Sequence, residues 1–267
     1  MRSRQPGFTL VELAVVLTIV ALLLGSLLYT LSAQTEQRNY DETRRRLEQA
    51  RELVLSYAIV NGRLPCPARS SGGGAEVNDG AGNCTSGGVD DYYGGTLAGG
   101  VVGGLLPAST VGYQQVDPGG FAIDAWGNRL RYAVAKNNTG CTTTPPANTR
   151  LFTNAGNLKT YGVACQPNDL IICKSSTGIT ATACGGGANQ IMSQSLVVAI
   201  VFSTGKNGSL FAAGAGLDEQ ANLNGDPVFV FHPRTDSSFA NGEFDDQMTW
   251  ITVGELYGRL IGAGVLP

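Results

Sequence analysis

From Leu13 to Leu31 the chain runs for nineteen residues without a charge, LAVVLTIVALLLGSLLYTL. No other feature restricts the possible folds as strongly. A run of that length leaves no polar face for water, and it reaches the roughly eighteen residues at which an apolar stretch reads as a membrane-spanning helix. Residues 1–7 hold Arg2 and Arg4 and no acid, a bias that places the N-terminus in the cytoplasm and translocates everything after residue 31. A cleaved secretory signal fits poorly. Its apolar region spans about 7–15 residues and closes at an A-x-A-like site, whereas the first stretch of that kind here is the weak Thr30-Leu-Ser-Ala33. Glu12 stands at the start of the apolar run, where a carboxylate in lipid costs about 2.5–3.5 kcal/mol on insertion scales. A charge in that place reads as functional.

The helical pattern continues past the apolar run. Tyr40, Thr43, Leu47, Ala50, Val54 and Tyr57 step alternately by three and four, which lays one stripe along a helix. Arginines and acids fill the faces between. Neither glycine nor proline interrupts Ser26 to Asn61, and the break comes at Asn61-Gly62, then Pro65 and Pro67. One helix from about Phe8 to Ile59 would measure about 78 Å at 1.5 Å per residue. Its first half, 8–31, is apolar all round. Its second half, 32–61, is amphipathic and needs a partner, which the remaining chain, 62–267, must supply as a globular head.

Gly7-Phe8-Thr9-Leu10-Val11-Glu12-Leu13, with basic residues before it and an apolar helix after it, resembles the class III signal of type IV pilins and type II secretion pseudopilins. The resemblance implies a leader peptide, 1–7, that prepilin peptidase removes between Gly7 and Phe8, followed by methylation of the new N-terminus. It also implies that Glu12 pairs with the N-terminal amine of a neighbouring subunit during assembly. The physics agrees, since two opposite charges that are each costly in lipid attract strongly where the dielectric is low. The implied partners are other pilin or pseudopilin subunits, the peptidase and an inner-membrane assembly platform. The implied location is the bacterial inner membrane, with the head periplasmic, and then a filament.

Composition narrows the head. Glycine makes up 37 of 267 residues, about twice its usual share, and charged residues make up 15 % against about 25 % in an ordinary domain. The net charge of −3 supplies no basic field for a polyanion, so nucleic acid is expected only as an uptake ligand. The single histidine, His232, excludes any site that needs two imidazoles. There is no G-x-S-x-G elbow, no phosphate-cradling G-x-x-x-x-G-K-[ST], and no G-x-G-x-x-G opening a helix after a strand. The expectation is therefore no enzyme. His232, close in sequence to Asp236, reads as a residue at the end of the Val228–Phe231 strand.

Residues 70–104, rich in glycine, read as a long surface excursion. Strand patterns follow at Leu130–Val134, Leu196–Phe202, Val228–Phe231 and Met248–Val253, and Thr252-Val-Gly-Glu255 reads as a capping box before a short terminal helix. A long helix packed against an antiparallel sheet gives an α+β fold. Asp124-Ala-Trp126-Gly127, leading to Tyr132, is similar to the stretch that enters the sheet of major pseudopilins. Phe202-Ser-Thr-Gly205-Lys-Asn-Gly208 with Phe244-Asp245-Asp246 resembles their strand, turn and acidic C-terminal loop, which holds calcium. The resemblance makes Asp245 and Asp246 candidate calcium ligands, with Asp218 or Asp226 beside them. The alternative is that both are solvated turn carboxylates, and no other cofactor is expected.

Six cysteines, Cys66, Cys84, Cys141, Cys165, Cys173 and Cys184, all fall on the translocated side, where disulfides form. Fifteen pairings are open. Chain order favours Cys66–Cys84 and Cys173–Cys184 and leaves Cys141–Cys165. The reading is a structural subunit of a type IV pilus or type II secretion pseudopilus, more a minor one than the repeated one. A tip adhesin or DNA-uptake subunit and a membrane-anchored periplasmic enzyme are the alternatives.

Overall fold

The computed structural model describes residues 9–86, 88–97, 100–136, 150–208 and 216–266, and the side chains of 26–31 fall outside that description. Along the chain lie α1 (Leu10–Asn61), the two-residue strands β1 (Thr85–Ser86), β2 (Val89–Asp90), β3 (Gly95–Thr96) and β4 (Val102–Gly103), α2 (Ala108–Val111), β5 (Arg131–Val134), α3 (Ala155–Tyr161), β6 (Ile171–Cys173), β7 (Gln190–Met192), β8 (Val197–Ser203), α4 (Leu217–Ala221), β9 (Val228–Val230), β10 (Gln247–Thr252) and α5 (Val253–Gly262). The chain divides into two units, Met1–Asp41 and Glu42–Pro267.

In the first unit the described residues are helical from Leu10 onward. Eleven large apolar side chains between Leu10 and Leu24 are 44–85 % exposed, so the helix presents apolar surface all round. Among the described residues no helix is long and apolar enough to cross a membrane. The expected membrane-spanning half, 8–31, is accordingly not shown. The backbone is helical through the whole uncharged run, Leu13–Leu31.

In the second unit the amphipathic stripe is buried. Thr43, Leu47, Ala50 and Val54 are at most 2 % exposed, and Leu55 and Ala58 widen the stripe beyond the residues that the periodicity singled out. Except for Thr43, these side chains share one core with Tyr132, Val198, Ile251, Leu256 and Leu260. Full burial of one such aliphatic side chain contributes about 1.5–3 kcal/mol. Three polar clasps fix the helix along its length. Thr43 Oγ1 accepts from Ala125 N at 3.1 Å, and Arg46 Nη1 donates to the carbonyls of Ile123 and Asp124 at 3.1 and 2.7 Å. Arg51 Nε donates to Trp250 O at 3.0 Å and its guanidinium pairs with Glu255.

The main sheet has the order β10-β8-β5 and is antiparallel throughout. The central strand β8 is buried along all seven residues, as its unbroken apolar run requires. A second sheet, β7-β6-β9, departs from the expected antiparallel head. β6 pairs antiparallel with β7 but parallel with β9, Ile171 opposite Val228 and Cys173 opposite Val230. A parallel pair needs a long crossover, and β7, β8 and α4 supply it. The terminal helix α5 begins as expected, with Thr252 Oγ1 accepting from Glu255 N at 3.3 Å.

The reading of 70–104 as a surface excursion is corrected in part: most of its described residues are exposed or half-buried, but the stretch enters the core at Asp91 and Tyr92. Asp91 and Tyr92 are 1 and 2 % exposed, and Tyr92 O accepts from Val134 N of β5 at 2.9 Å. Glycine makes this threading possible. Gly104 has φ +62°, and a Cβ there would collide with Gly94, so backbone passes backbone where a side chain has no room.

Cys66 is joined to Cys84 and Cys173 to Cys184, with Cα atoms 5.2 and 5.5 Å apart. Cys165 is also disulfide-bonded, and Cys141, its expected partner, lies outside the described residues. A closed loop of this size stabilises by about 3 kcal/mol in the chain-entropy account.

Candidate functional site

Gly7 and Phe8 lie outside the described residues. Glu12 stands in the first turn of α1, where Thr9 N and Thr9 Oγ1 both donate to its Oε2 at 2.9 Å, and Thr9 Oγ1 accepts from Glu12 N at 3.3 Å. This is a capping box, which satisfies orphan donors at a helix start. The spacing Thr9-x-x-Glu12 is visible in the sequence, and it gives this carboxylate a local role that the resemblance did not. Glu12 Oε1 makes no bond to a described residue, and it is exposed.

Near the C-terminus the structure brings Asp245 and Asp246 together with Glu219. One carboxylate oxygen from each lies within 4.8 Å of the others. Three segments build the cluster. The turn after β8 passes under Asp245, whose Oδ2 accepts from Lys206 N at 2.9 Å. Gly205 there has φ +61°, and a Cβ on it would collide with the Asp245 carboxylate. α4 carries Glu219, held by Gly216 N at 3.0 Å and Asn207 Nδ2 at 2.9 Å, and Asp245 N donates to its Oε1 at 2.8 Å. Asn222 Nδ2 donates to Asp246 Oδ2 at 2.7 Å.

The alternative of solvated turn carboxylates is thereby corrected, since Asp245 and Asp246 are 0 and 5 % exposed. Burial first, then the Glu219 charge, push the Asp245 carboxyl up. Burial also pushes Asp246 well up; the Asn222 bond opposes it, and the charges of Glu219 and Asp245 add to it. Asp246 Oδ1 is buried and makes no hydrogen bond among the described residues. An all-oxygen set of three carboxylates with an orphaned buried oxygen fits a hard divalent cation such as calcium. Glu219, Asp245 and Asp246 would hold it, and it would supply neutralisation of their mutual repulsion.

Asp218 and Asp226 are not part of this group. Asp226 closes its own turn, accepting from Val228 N at 2.9 Å and Asn224 Nδ2 at 2.8 Å. Asp218 accepts from Ser176 N, from Asn241 Nδ2 at 3.0 Å and from His232 Nε2 at 3.1 Å. The His232 ring stacks on Phe244 at 3.9 Å, and its Nδ1 lies 2.7 Å from Pro233 O. Ser175 Oγ reaches Asp218 rather than His232, and Asp236 is engaged by Ser238. The serine–base contact of a nucleophilic triad is not made at His232 by any described residue.

No curated protein and no solved structure matches the chain. Residues 2–28 match the family model of the prokaryotic N-terminal methylation motif, so the chain carries the class III signal of type IV pilins and pseudopilins, which implies cutting by a prepilin peptidase and assembly with other pilin subunits.

Proposed function

We propose that the chain is a minor structural subunit of a type IV pilus or type II secretion pseudopilus. It is made as an inner-membrane precursor with the head periplasmic, cut between Gly7 and Phe8, methylated at Phe8 and polymerised through α1 by an inner-membrane platform. It is not an enzyme. The observation that carries this reading is the methylation motif over residues 2–28, with Glu12 in the place of the family's assembly carboxylate. Three features support it. The exposed apolar side chains from Leu10 to Leu24 are stable only in lipid or against other helices. The open Oε1 of Glu12 leaves an acceptor for a neighbouring subunit's N-terminal amine, while Oε2 holds the cap. The long head with its second sheet supports a minor rather than a repeated subunit.

The test is the intact mass and N-terminal residue of membrane-extracted protein from cells with and without the peptidase. A mature chain that begins at Phe8 and carries one added methyl is expected, with the precursor persisting when the peptidase is absent. A Met1 start in both strains, or a cut beyond residue 31, overturns the proposal.

A further inference from the structure

Glu219 reaches the carboxylate cluster from α4, a helix of only five residues, Leu217–Ala221. A single helical turn fixes several dihedral angles for one hydrogen bond and has no stability of its own, so the place of Glu219 depends on what ties α4 down. Asp218 is its neighbour in sequence, and successive side chains on a helix project about 100° apart. α4 therefore reaches two ways. Glu219 enters the cluster with Asp245 and Asp246, and Asp218 turns to the loop 174–183.

That loop is closed by the Cys173–Cys184 disulfide. Asp218 accepts from Ser176 N inside it, and Asn241 Nδ2 joins helix and loop by donating to Asp218 Oδ1 at 3.0 Å and to Ser175 Oγ at 2.8 Å. Asn189 Nδ2 donates to Ser175 O at 2.9 Å and to Cys184 O at 3.0 Å, which holds the loop folded on itself. Asp218 is buried, so water competes little for these bonds. A second link is apolar. Cys173 and Cys184 share a small buried cluster with Ala221 of α4, with Phe244, which precedes Asp245, and with Val228 and Val230. This cluster is separate from the main core, so the cystine is a large part of what it has to pack.

We propose that Asp218 and the Cys173–Cys184 disulfide position Glu219 for the cation, Asp218 by tying α4 to the closed loop and the disulfide by holding that loop and the apolar floor beneath α4 and Asp245. The inference rests on the reading of Glu219, Asp245 and Asp246 as a calcium site and goes beyond it, since neither Asp218 nor either cysteine is a ligand. Partners one step behind the ligands change metal affinity by about 10–100-fold when they are removed. The cause is that a ligand which must be ordered at the moment of binding draws on the binding energy.

The full chain in a non-ionic detergent is titrated calorimetrically with calcium chloride, and the melting temperature of each variant is measured in chelator. Asp218→Ala, Asn241→Ala and the double variant Cys173→Ser/Cys184→Ser are each expected to weaken calcium binding about tenfold or more. Asp218→Asn removes the charge but keeps an acceptor for Ser176 N, so it should bind more tightly than Asp218→Ala. Equal losses in those two variants overturn the positioning role, because calcium would then feel only the charge. Cys66→Ser/Cys84→Ser opens a bridge that packs in the main core. It should lower the melting temperature in chelator and leave calcium affinity unchanged; an equal loss of affinity in both double variants overturns the proposal as a general loss of stability. If the unaltered chain binds calcium and Asn241→Ala and Cys173→Ser/Cys184→Ser melt cooperatively yet bind it as tightly, the inference fails and the calcium site stands. If the unaltered chain binds no calcium, the site itself fails and the inference with it.

Discussion

Glu12 answers two demands with two oxygens. Its Oε2 closes the capping box with Thr9, and its charge is what assembly is proposed to use. Two substitutions separate these roles. Glu12→Gln keeps an acceptor for the cap and removes the charge, whereas Glu12→Ala removes both, at a cost of about 1 kcal/mol in helix stability. Both variants are expected to be cut normally and to be absent from isolated filaments, as read by immunoblot of membrane and filament fractions. Filament levels restored by Gln but not by Ala would assign the carboxylate to the cap alone. Glu76 gives a residue-scale prediction within the head. Burial raises its pKa, but the bonds from Arg63 at 2.7 and 2.9 Å, from Cys66 N at 2.9 Å and from Tyr57 outweigh it and hold the carboxyl below the usual range. A carboxyl lowered in the fold stabilises above its unfolded pKa and loses that stabilisation as pH falls through the folded value. Urea melts between pH 6 and pH 3 should therefore show a loss of stability that flattens in Glu76→Gln. The legible and illegible residues of the candidate site differ in kind. Asp245 and Asp246 were visible because they sit beside each other after Phe244 in a recognisable loop. Glu219 was not, because its ligand position depends on a five-residue helix opened by Gly216 and on no fixed spacing to the aspartates.

At the scale of elements, periodicity was a good guide wherever one face meets the core. The α1 stripe and β5 carried it, β8 and β9 showed as apolar runs and α5 through its cap, and these elements and β10 lie within a few residues of their expected spans. Of the second sheet only β9 was legible, from its short apolar run; β6 and β7, three residues each, show no period. The glycine-rich stretch misled for a related reason: glycine signals backbone freedom, and burial by close backbone passage leaves no hydrophobic pattern. Two elements invite tests. Thr252→Ala should remove the α5 cap and cost about 1 kcal/mol, lowering the head's melting temperature by a few degrees. α4 and the segment entering β10 meet through three carboxylates, so calcium should raise the melting temperature and chelator should lower it, by ligand linkage. Asp246→Asn should abolish the calcium response while raising stability in chelator, because it removes a buried carboxyl that is costly to ionise beside Glu219 and Asp245. A melting curve indifferent to calcium at millimolar concentration would leave the cluster with no cation to explain it.

Over the whole molecule, the two units divide the work. The first, up to Asp41, carries the methylation signal over residues 2–28 and an apolar helix that water does not suit. The second is a disulfide-stapled α+β head. Its α1 segment is held by partners far along the chain. Arg51 waits for Trp250, 199 residues later, and for Glu255, 204 residues later. That separation sets a clock. At about 5–20 residues per second of synthesis, the stripe Leu47, Ala50, Val54, Leu55 and Ala58 stays uncovered for on the order of 10–40 s after it is made. Every stop codon before β10 leaves the stripe without the part of its cover that Ile251, Leu256 and Leu260 supply. A chain ended at Asp246 should thus be degraded at a rate set by the cell's proteases, visible as a short half-life in pulse-chase, even though its signal, its disulfides and most of its core residues are all still encoded.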